Sequence, residues 1–208
     1  MTVLARLLNG DGPRVLQTCR FEGLGGDLYG REAIQYQLIA LRPLLMASLL
    51  DVETARMGVW MDANRALVGE LIDGQVQRLW LLSDQVSLSP PLSIDIPSDP
   101  DLAQATSLVR FDPRDHTELN PDDADRILDA VEVWPGSDLA RFRPVVLRAA
   151  SIGPDAIALL RLEGETIGGS GAPVACNGLV VVHADSQEHR LDSAGMAQAR
   201  LCQWTPRL

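Results

Sequence analysis

Residues 65–82, RALVGELIDGQVQRLWLL, form the stretch that most constrains the fold. Two segments rich in branched and aromatic side chains flank Asp73-Gly74, a pair that supplies the positive φ angles of a two-residue hairpin turn. The predicted cross-strand pairs are Leu71 with Val76, Gly69 with Arg78 and Leu67 with Trp80 on one face, and Glu70 with Gln77 and Val68 with Leu79 on the other. Because each predicted face mixes polar and apolar side chains, we expect the hairpin to cover a core at one end and to line a pocket at the other.

Elements on both sides of the hairpin are predicted from periodicity and from helix signals. Apolar side chains recur at helical spacing in 30–41, and Asn120-Pro121 followed by two acids predicts the start of a helix that ends near Val133. We expect further helices at 2–8 and 13–18, and strands at 44–61, 145–151, 156–162 and 174–184. The glycine-rich residues 164–173 are expected to form a loop between the last two strands.

The composition is that of a folded protein. The chain has 208 residues, of which 46% are hydrophobic and 22% charged, so it can bury a core. Its apolar runs are far shorter than the roughly twenty residues of a membrane helix, and the N-terminus lacks the apolar core of a signal peptide. We therefore expect a cytoplasmic protein. All eighteen basic residues are Arg, which is typical of a GC-rich bacterial genome.

The cysteines and the charges narrow the range of partners. Cys19, Cys176 and Cys202 are odd in number and widely spaced, which favours reduced thiols over disulfides or a zinc motif. The net charge is −10, and residues 95–138 hold twelve acids against three Arg. Such a segment would repel phosphate backbones and anionic membranes, so we expect neither nucleic acid nor membrane as a partner. It is interpreted as a solvated linker and helix face, with an acidic docking surface as the alternative.

The chain shows signs of an internal duplication. Four Pro among Ser and Asp predict a linker at 85–101, between a first domain at 1–84 and a second at 102–208. Residues 66–79, ALVGELIDGQVQRL, and 178–191, GLVVVHADSQEHRL, are identical at six of fourteen positions. Upstream, Arg42-Pro43-Leu44-Leu45 is echoed by Arg143-Pro144-Val145-Val146, and the spacing agrees if the glycine-rich loop is an insertion. Two matches in the same order indicate that the second domain is a diverged copy of the first.

The first 84 residues also resemble a known family. Phe21, the run Tyr29-Gly30-Arg31-Glu32-Ala33-Ile34, a long strand and a hairpin that ends Arg78-Leu79-Trp80 are similar to the nuclear transport factor 2-like superfamily, which includes SnoaL-like polyketide cyclases and ketosteroid isomerase-like proteins. The resemblance implies a cone-shaped α+β fold, the cystatin-like roll, in which a curved antiparallel sheet wraps around helices and encloses a pocket. Members commonly dimerise through their sheets, so two copies in one chain are expected to form an intrachain pseudo-dimer, with a homodimer as the alternative.

The expected pocket is lined by aromatic side chains and one charged pair, namely Tyr29, Tyr36, Trp60, Glu70, Arg78 and Trp80. The rings would contact a small apolar ligand, and the charged pair would orient it. We predict a small-molecule-binding or assembly protein without a cofactor. The alternative is an isomerase or cyclase acting on a small apolar carbonyl substrate, with Glu70 as general base and Tyr29 or Tyr36 stabilising the enolate. A structural role, in which Glu70 pairs with an Arg, is favoured over the catalytic one.

Other motifs do not predict a site. Residues 110–116, RFDPRDH, are similar to the alternating Asp and Arg of epoxide hydrolases of this shape, but they directly follow the linker, where charge is ordinary. His183 and His189 lie near Asp185, yet a hairpin turn at Asp185-Ser186 would place the two imidazoles on opposite faces, which argues against a shared metal ion. The glycines of 164–171 lack the strand and helix context of a phosphate-binding loop, and the sequence contains no GxSxG elbow.

Overall fold

The computed structural model describes residues 1–11, 14–23, 26–42, 47–83, 118–132, 139–166 and 173–192. Three helices and ten strands lie within these ranges. The helices are α1 (Val3–Leu8), α2 (Arg31–Leu41) and α3 (Pro121–Glu132). The strands are β1 (Val15–Gly23), β2 (Gly26–Tyr29), β3 (Leu50–Glu53), β4 (Met57–Met61), β5 (Arg65–Ile72), β6 (Gln75–Ser83), β7 (Leu139–Ile152), β8 (Asp155–Thr166), β9 (Pro173–Val182) and β10 (Gln187–Leu191).

The strands form two sheets that pack face to face, with helices on the outside of each. The first sheet has the order β2-β1-β6-β5-β4-β3 and is antiparallel except for the β1–β6 pair; the second has the order β10-β9-β8-β7 and is antiparallel throughout. Helices α1 and α2 cover the outer face of the first sheet, and α3 covers the outer face of the second. The fold is therefore of the mixed α+β class, as predicted from the sequence.

The core between the sheets is almost entirely apolar. Alternate side chains of β4, β5 and β6 point towards the second sheet, and alternate side chains of β8 and β9 meet them. The buried residues of this intersheet core are Met57, Val59, Met61, Ala66, Val68, Trp80, Leu82, Ala150, Ile157, Leu159, Leu179 and Val181. Burying each of the larger side chains contributes about 1.5–3 kcal/mol, so this layer fixes the two sheets against each other.

The predicted hairpin forms, but its register changes after the second residue pair beyond the turn. Asp73 and Gly74 have φ angles of 50° and 70°, as a two-residue turn of this type requires, and Leu71 pairs with Val76 as expected. A β-bulge follows at Gln77, which has no partner in β5. Beyond the bulge the predicted pairs are wrong by one residue, and the observed pairs are Glu70 with Arg78, Gly69 with Leu79, Val68 with Trp80 and Leu67 with Leu81.

Two further predictions in the first half are wrong. Residues 13–18 were expected to be helical, but Val15–Gly23 is strand β1, which pairs with both β2 and β6 and buries Val15, Cys19 and Phe21. Tertiary pairing here outweighs local preference. The single strand expected at 44–61 is a hairpin of β3 and β4, because the hydroxyl of Thr54 accepts hydrogen bonds from the backbone N–H groups of Arg56 and Met57 and closes a turn. Residues 43–46 lie outside the described ranges.

In the second half, a helix and three strands form where they were predicted, but β8 continues to Thr166, into the segment that was expected to be a loop, and the turn after β9 also differs from the prediction. The loop between β9 and β10 has four residues, because Val182 pairs with Gln187 and the N–H of His183 donates to the carbonyl of Ser186. His189 therefore pairs with Val180, whereas the expected two-residue turn at Asp185-Ser186 would have paired it with Val182. The predicted linker at 85–101 and the 110–116 cluster lie outside the described residues.

The repeated segments occupy hairpins in both sheets but differ in register. Residues 66–79 lie in the β5–β6 hairpin, and 178–191 lie in the β9–β10 hairpin. Arg78 pairs with Glu70, whereas its sequence equivalent, Arg190, pairs with Leu179. The two segments of the upstream sequence match lie in different kinds of element, since Arg42 follows the last turn of α2 and Arg143 lies within β7.

None of the described helices is long and apolar enough to cross a membrane.

The first turn of helix α3 contains a hydrogen-bonded acid whose charge depends on pH. Asp123 lies in the first turn, is nearly buried and forms an ion pair with Arg126 at 2.5 Å. Burial raises the pKa of the Asp123 carboxyl, but the hydrogen bonds from Ser151 and Arg126 and the Arg126 charge lower the pKa by more, so it lies below its usual range. A carboxyl whose pKa is lower in the folded chain than in the unfolded chain stabilises the fold above the unfolded pKa, and that stability is lost as the pH falls through the folded value.

We therefore expect Asp123→Asn to lower the free energy of unfolding near neutral pH and to flatten its decline below about pH 4. Urea unfolding midpoints at about pH 7 and about pH 3 measure this. Asp125→Asn, an exposed acid on the same helix, is the control and should leave both midpoints nearly unchanged. An Asp123→Asn variant with the wild-type pH dependence would contradict the assignment.

Candidate functional site

An open cleft of about 580 Å³ lies where the turn ends of the first sheet meet the second sheet. The first sheet contributes the turn between β3 and β4 and the last residues of β5, and the second half contributes Glu118 and two residues of β7. The lining residues are Ala55, Arg56, Met57, Glu70, Leu71, Ile72, Asp73, Glu118, Arg148 and Ala149. The volume falls within the range of about 300–1,000 Å³ that is common for small-molecule sites.

An ion pair across the sheets lies in the cleft wall. The side chain of Arg148 donates from Nε to Oε1 of Glu70 at 3.1 Å, and its Nη2 donates to the same oxygen. The third nitrogen, Nη1, donates to the carbonyl of Leu147 at 2.5 Å. The Glu70 side chain is 16% exposed and that of Arg148 is 37% exposed. This pair joins β5 to β7 and holds Glu70 in one orientation.

A second polar contact across the sheets involves Glu118. The hydroxyl of Thr54 donates to Oε2 of Glu118 at 2.5 Å, which connects the β3–β4 turn to the segment before α3. The backbone of Glu118 is fixed as well, because its carbonyl accepts from the N–H of Ser151 at 2.9 Å. The Glu118 carboxylate is therefore positioned by both sheets.

The charged side chains that line the cleft differ in how many hydrogen bonds they make to the protein. Three acids, Glu70, Asp73 and Glu118, and two cations, Arg56 and Arg148, line it, so its formal charge is −1. Both side-chain nitrogens that Arg148 directs at Glu70 contact Oε1, and within the described ranges Oε2 of Glu70 and Oε1 of Glu118 have no hydrogen-bond partner. The cleft thus presents carboxylate oxygens that can accept hydrogen bonds from a ligand.

Three of the six predicted ligand-binding residues come to the intersheet face. Glu70, Arg78 and Trp80 share this face because the bulge at Gln77 turns Arg78 and Trp80 towards the second sheet. The Arg78 guanidinium lies 5.8 Å from the centre of the Trp80 ring, and Trp80 is 2% exposed. Of these three residues, Glu70 lines the cleft.

The other three predicted residues lie elsewhere. Trp60 is buried on the opposite face of the first sheet, against α1 and α2. Tyr29 at the end of β2 is 63% exposed and stacks under Arg20, and Tyr36 on α2 is 77% exposed. In the part of the chain that the structure describes, the six residues do not surround one cavity. Neither tyrosine is near Glu70 in the way a shared catalytic site would need, because each lies on an element outside the cleft.

Sequence reasoning missed Arg56, Glu118 and Arg148. The signal for Arg148 was a lone charged residue inside the apolar run Val145–Ala150, which marks a side chain that needs a partner. Glu118 was interpreted as part of a solvated acidic segment, and only its contact with Thr54 distinguishes it from its neighbours. Conversely, Glu70 was predicted to pair with an Arg, and that Arg is Arg148 of the other sheet.

The remaining titratable groups form separate contacts. His183 lies 3.0 Å from Asp155, and His189 lies 2.9 Å from the carbonyl of Ala130 on α3. Within the described ranges no group of three His, Cys, Asp or Glu side chains is arranged to hold a metal ion. Burial raises the pKa of the Cys19 thiol to about 12, so this buried free cysteine is a poor nucleophile near neutral pH.

The chain matches no family model, no curated protein and no solved structure.

Proposed function

We propose that this protein binds a small molecule in the cleft between its two sheets. The observation that carries the proposal is a cleft of ligand size whose wall holds a fixed ion pair, Glu70 with Arg148, beside the aliphatic side chains of Met57 and Ile72. Side chains anchored by both sheets are pre-organised, so a ligand would not have to pay for ordering them. The cleft is open to solvent on one side, which gives a ligand access.

A binding role for Glu70 is better supported than the alternative role as general base of an isomerase or cyclase. Oε1 of Glu70 accepts hydrogen bonds from two nitrogens of Arg148, so this oxygen is already engaged and is not available to take a proton from a substrate. The tyrosines considered as partners lie outside the cleft. Glu70 is thus suited to hold the cleft wall and to accept a hydrogen bond through Oε2.

The finer fold assignment is part of the same proposal. Helices on one face of a mostly antiparallel sheet in residues 1–83 are in keeping with the cone-shaped roll of the nuclear transport factor 2-like superfamily. Helix α2 with β3 to β6, and α3 with β7 to β10, each run helix then four-stranded meander, which supports a duplication. The face-to-face packing of the two sheets supports an intrachain pseudo-dimer, in which the cleft lies between the two copies.

Blocking the cleft without disturbing the core tests the binding function. Ala55 is exposed in the β3–β4 turn and lines the cleft, so Ala55→Trp places an indole in the opening. Ala63→Trp is the matched control, because Ala63 is exposed in the turn between β4 and β5, outside the cleft. The probes are hexylamine, hexanoate and hexan-1-ol at millimolar concentration, and the readout is the methyl NMR signals of Met57 and Ile72, which line the cleft.

At least one probe is expected to shift these signals in the wild type and in Ala63→Trp, and to leave them unshifted in Ala55→Trp. Native mass spectrometry of the protein as purified should in parallel show any retained small molecule, which Ala55→Trp is expected to lose. If no probe moves the cleft signals, or if Ala55→Trp binds as the wild type does, the proposed function is wrong.

A further inference from the structure

The charge of the cleft indicates what kind of ligand it accepts, an inference that rests on the proposed function. Arg148 is committed to Glu70 and Leu147 through all three of its nitrogens. Arg56 is an exposed residue of the β3–β4 turn, where water solvates its guanidinium. The charge of Arg148 is therefore already paired with Glu70, and that of Arg56 is solvated.

Unlike the two arginines, Glu118 and Glu70 are each held in place through one carboxylate oxygen and leave the other oxygen for a ligand. Glu118 is held by Thr54 through Oε2 and by the backbone bond to Ser151, so its Oε1 is fixed in position. Glu70 is held through Oε1, and its Oε2 makes no hydrogen bond with the described residues. Two oriented carboxylate oxygens in one cleft match the several N–H donors of an ammonium group, whose charge-assisted hydrogen bonds are about twice as strong as neutral ones.

The rest of the lining defines the other end of the ligand. Met57 and Ile72 present aliphatic groups beside the carboxylates, whereas the side chains of Leu71 and Ala149 pack into the cores on the outer faces of the two sheets. An alkyl or similarly apolar body would bury surface against Met57 and Ile72, at about 25 cal/mol for each Å² removed from water. A hydrophilic cation such as a metal ion or a bare ammonium ion would not use this surface.

We infer that the ligand of the intersheet cleft is a small organic cation, an amine with an apolar body, whose ammonium group is bound by Glu118 and Glu70. An anion meets net repulsion from the three acids of the cleft. The formal charge of −10 on the whole chain adds a weak attraction for cations at low ionic strength.

The same three six-carbon probes separate this inference from the proposed function, because they differ only in the head group. Hexylamine is expected to bind about tenfold more tightly than hexan-1-ol, and hexanoate more weakly than both. Glu118→Gln keeps an oxygen that accepts from Thr54 but removes the charge, so it should weaken hexylamine binding by about tenfold and change hexan-1-ol binding much less. Glu32→Gln removes an exposed acid of α2, on the far side of the first sheet, and should change neither.

The outcomes are distinguishable. If hexan-1-ol or hexanoate shifts the cleft methyl signals as strongly as hexylamine, or if Glu118→Gln binds hexylamine as well as Glu32→Gln does, the cation inference is overturned while small-molecule binding stands. If none of the probes shifts these signals, the proposed function itself fails. A two-dimensional spectrum of Glu118→Gln that superimposes on the wild type away from the cleft shows that the variant is folded.

Discussion

Trp80→Ala should lower the free energy of unfolding by about 3–5 kcal/mol, the usual cost of removing a large buried aromatic side chain. Trp80 is 2% exposed and lies in the core between the two sheets, where Val68 is its cross-strand neighbour. Since a domain is stable by about 5–15 kcal/mol in total, the loss is a large fraction of the whole. Urea unfolding followed by tryptophan fluorescence and by circular dichroism measures it, with the midpoint shift multiplied by the slope.

Two variants control this experiment. Tyr36→Ala makes the same kind of truncation at a side chain that is 77% exposed, and it should shift stability by no more than about 0.5 kcal/mol. Trp80→Phe keeps a ring and deletes the indole N–H, which has no hydrogen-bond partner among the described residues and whose burial costs about 1–3 kcal/mol. We expect Trp80→Phe to lower the free energy of unfolding far less than Trp80→Ala does. A Trp80→Ala variant as stable as Tyr36→Ala would mean that the sheets do not pack as described.

Leu4→Ala should lower the free energy of unfolding by about 2–5 kcal/mol, because it removes a fully buried side chain from the layer between α1 and the first sheet. Leu4 lies directly over Gly69 of β5, so close that a Cβ at position 69 would be 2.9 Å from its Cδ2 atom. Val3, Leu7 and Leu8 of α1 are buried in the same layer, and Leu4 is the most deeply buried of the four. The loss is measured from urea midpoints as for Trp80.

The close approach of Leu4 to Gly69 can be tested separately by adding a methyl group at position 69. Gly69→Ala alone should destabilise by about 1–3 kcal/mol, since the added methyl group displaces the Leu4 side chain. In the Leu4→Ala background the same methyl group enters the vacated space, so the double variant should be more stable than the sum of the two losses by about 0.5–3 kcal/mol. Strict additivity would show that the two residues are not in contact.

The local parts of the fold follow from the sequence where a strong local signal coincides with burial. The Asp73-Gly74 turn, α2 and α3 are such cases, since turn chemistry, helical periodicity and an Asn-Pro helix start each act within a few residues. Strand β1 is the opposite case. Its residues 15–18 show no strong strand pattern, and it is a strand because β6 lies beside it, some sixty residues along the chain.

The site was predictable only in part. Glu70 was identified, and its role as the partner of an Arg was favoured, because an isolated acid in a strand needs compensation. Arg148 could not be assigned to it, since the two residues are separated by 78 positions and meet only when the sheets pack. Trp60 and Trp80 were both predicted to line the pocket, but they lie on opposite faces of the first sheet, because the bulge in β6 turns Trp80 towards the second sheet.

The bulge at Gln77 shows the difference between what the sequence predicts and what depends on the tertiary structure. The sequence by itself determined that a hairpin turns at Asp73-Gly74 and that Leu71 opposes Val76, because these depend on backbone angles and nearest neighbours. The tertiary structure decided that one residue bulges out and that Arg78 and Trp80 face the second sheet while Trp60 faces the helices. Side chains alternate with a period of two along a strand, so one extra residue exchanges the two faces for every residue that follows. Which face gains more from burial depends on a sheet made from the other half of the chain, and no local pattern contains that information.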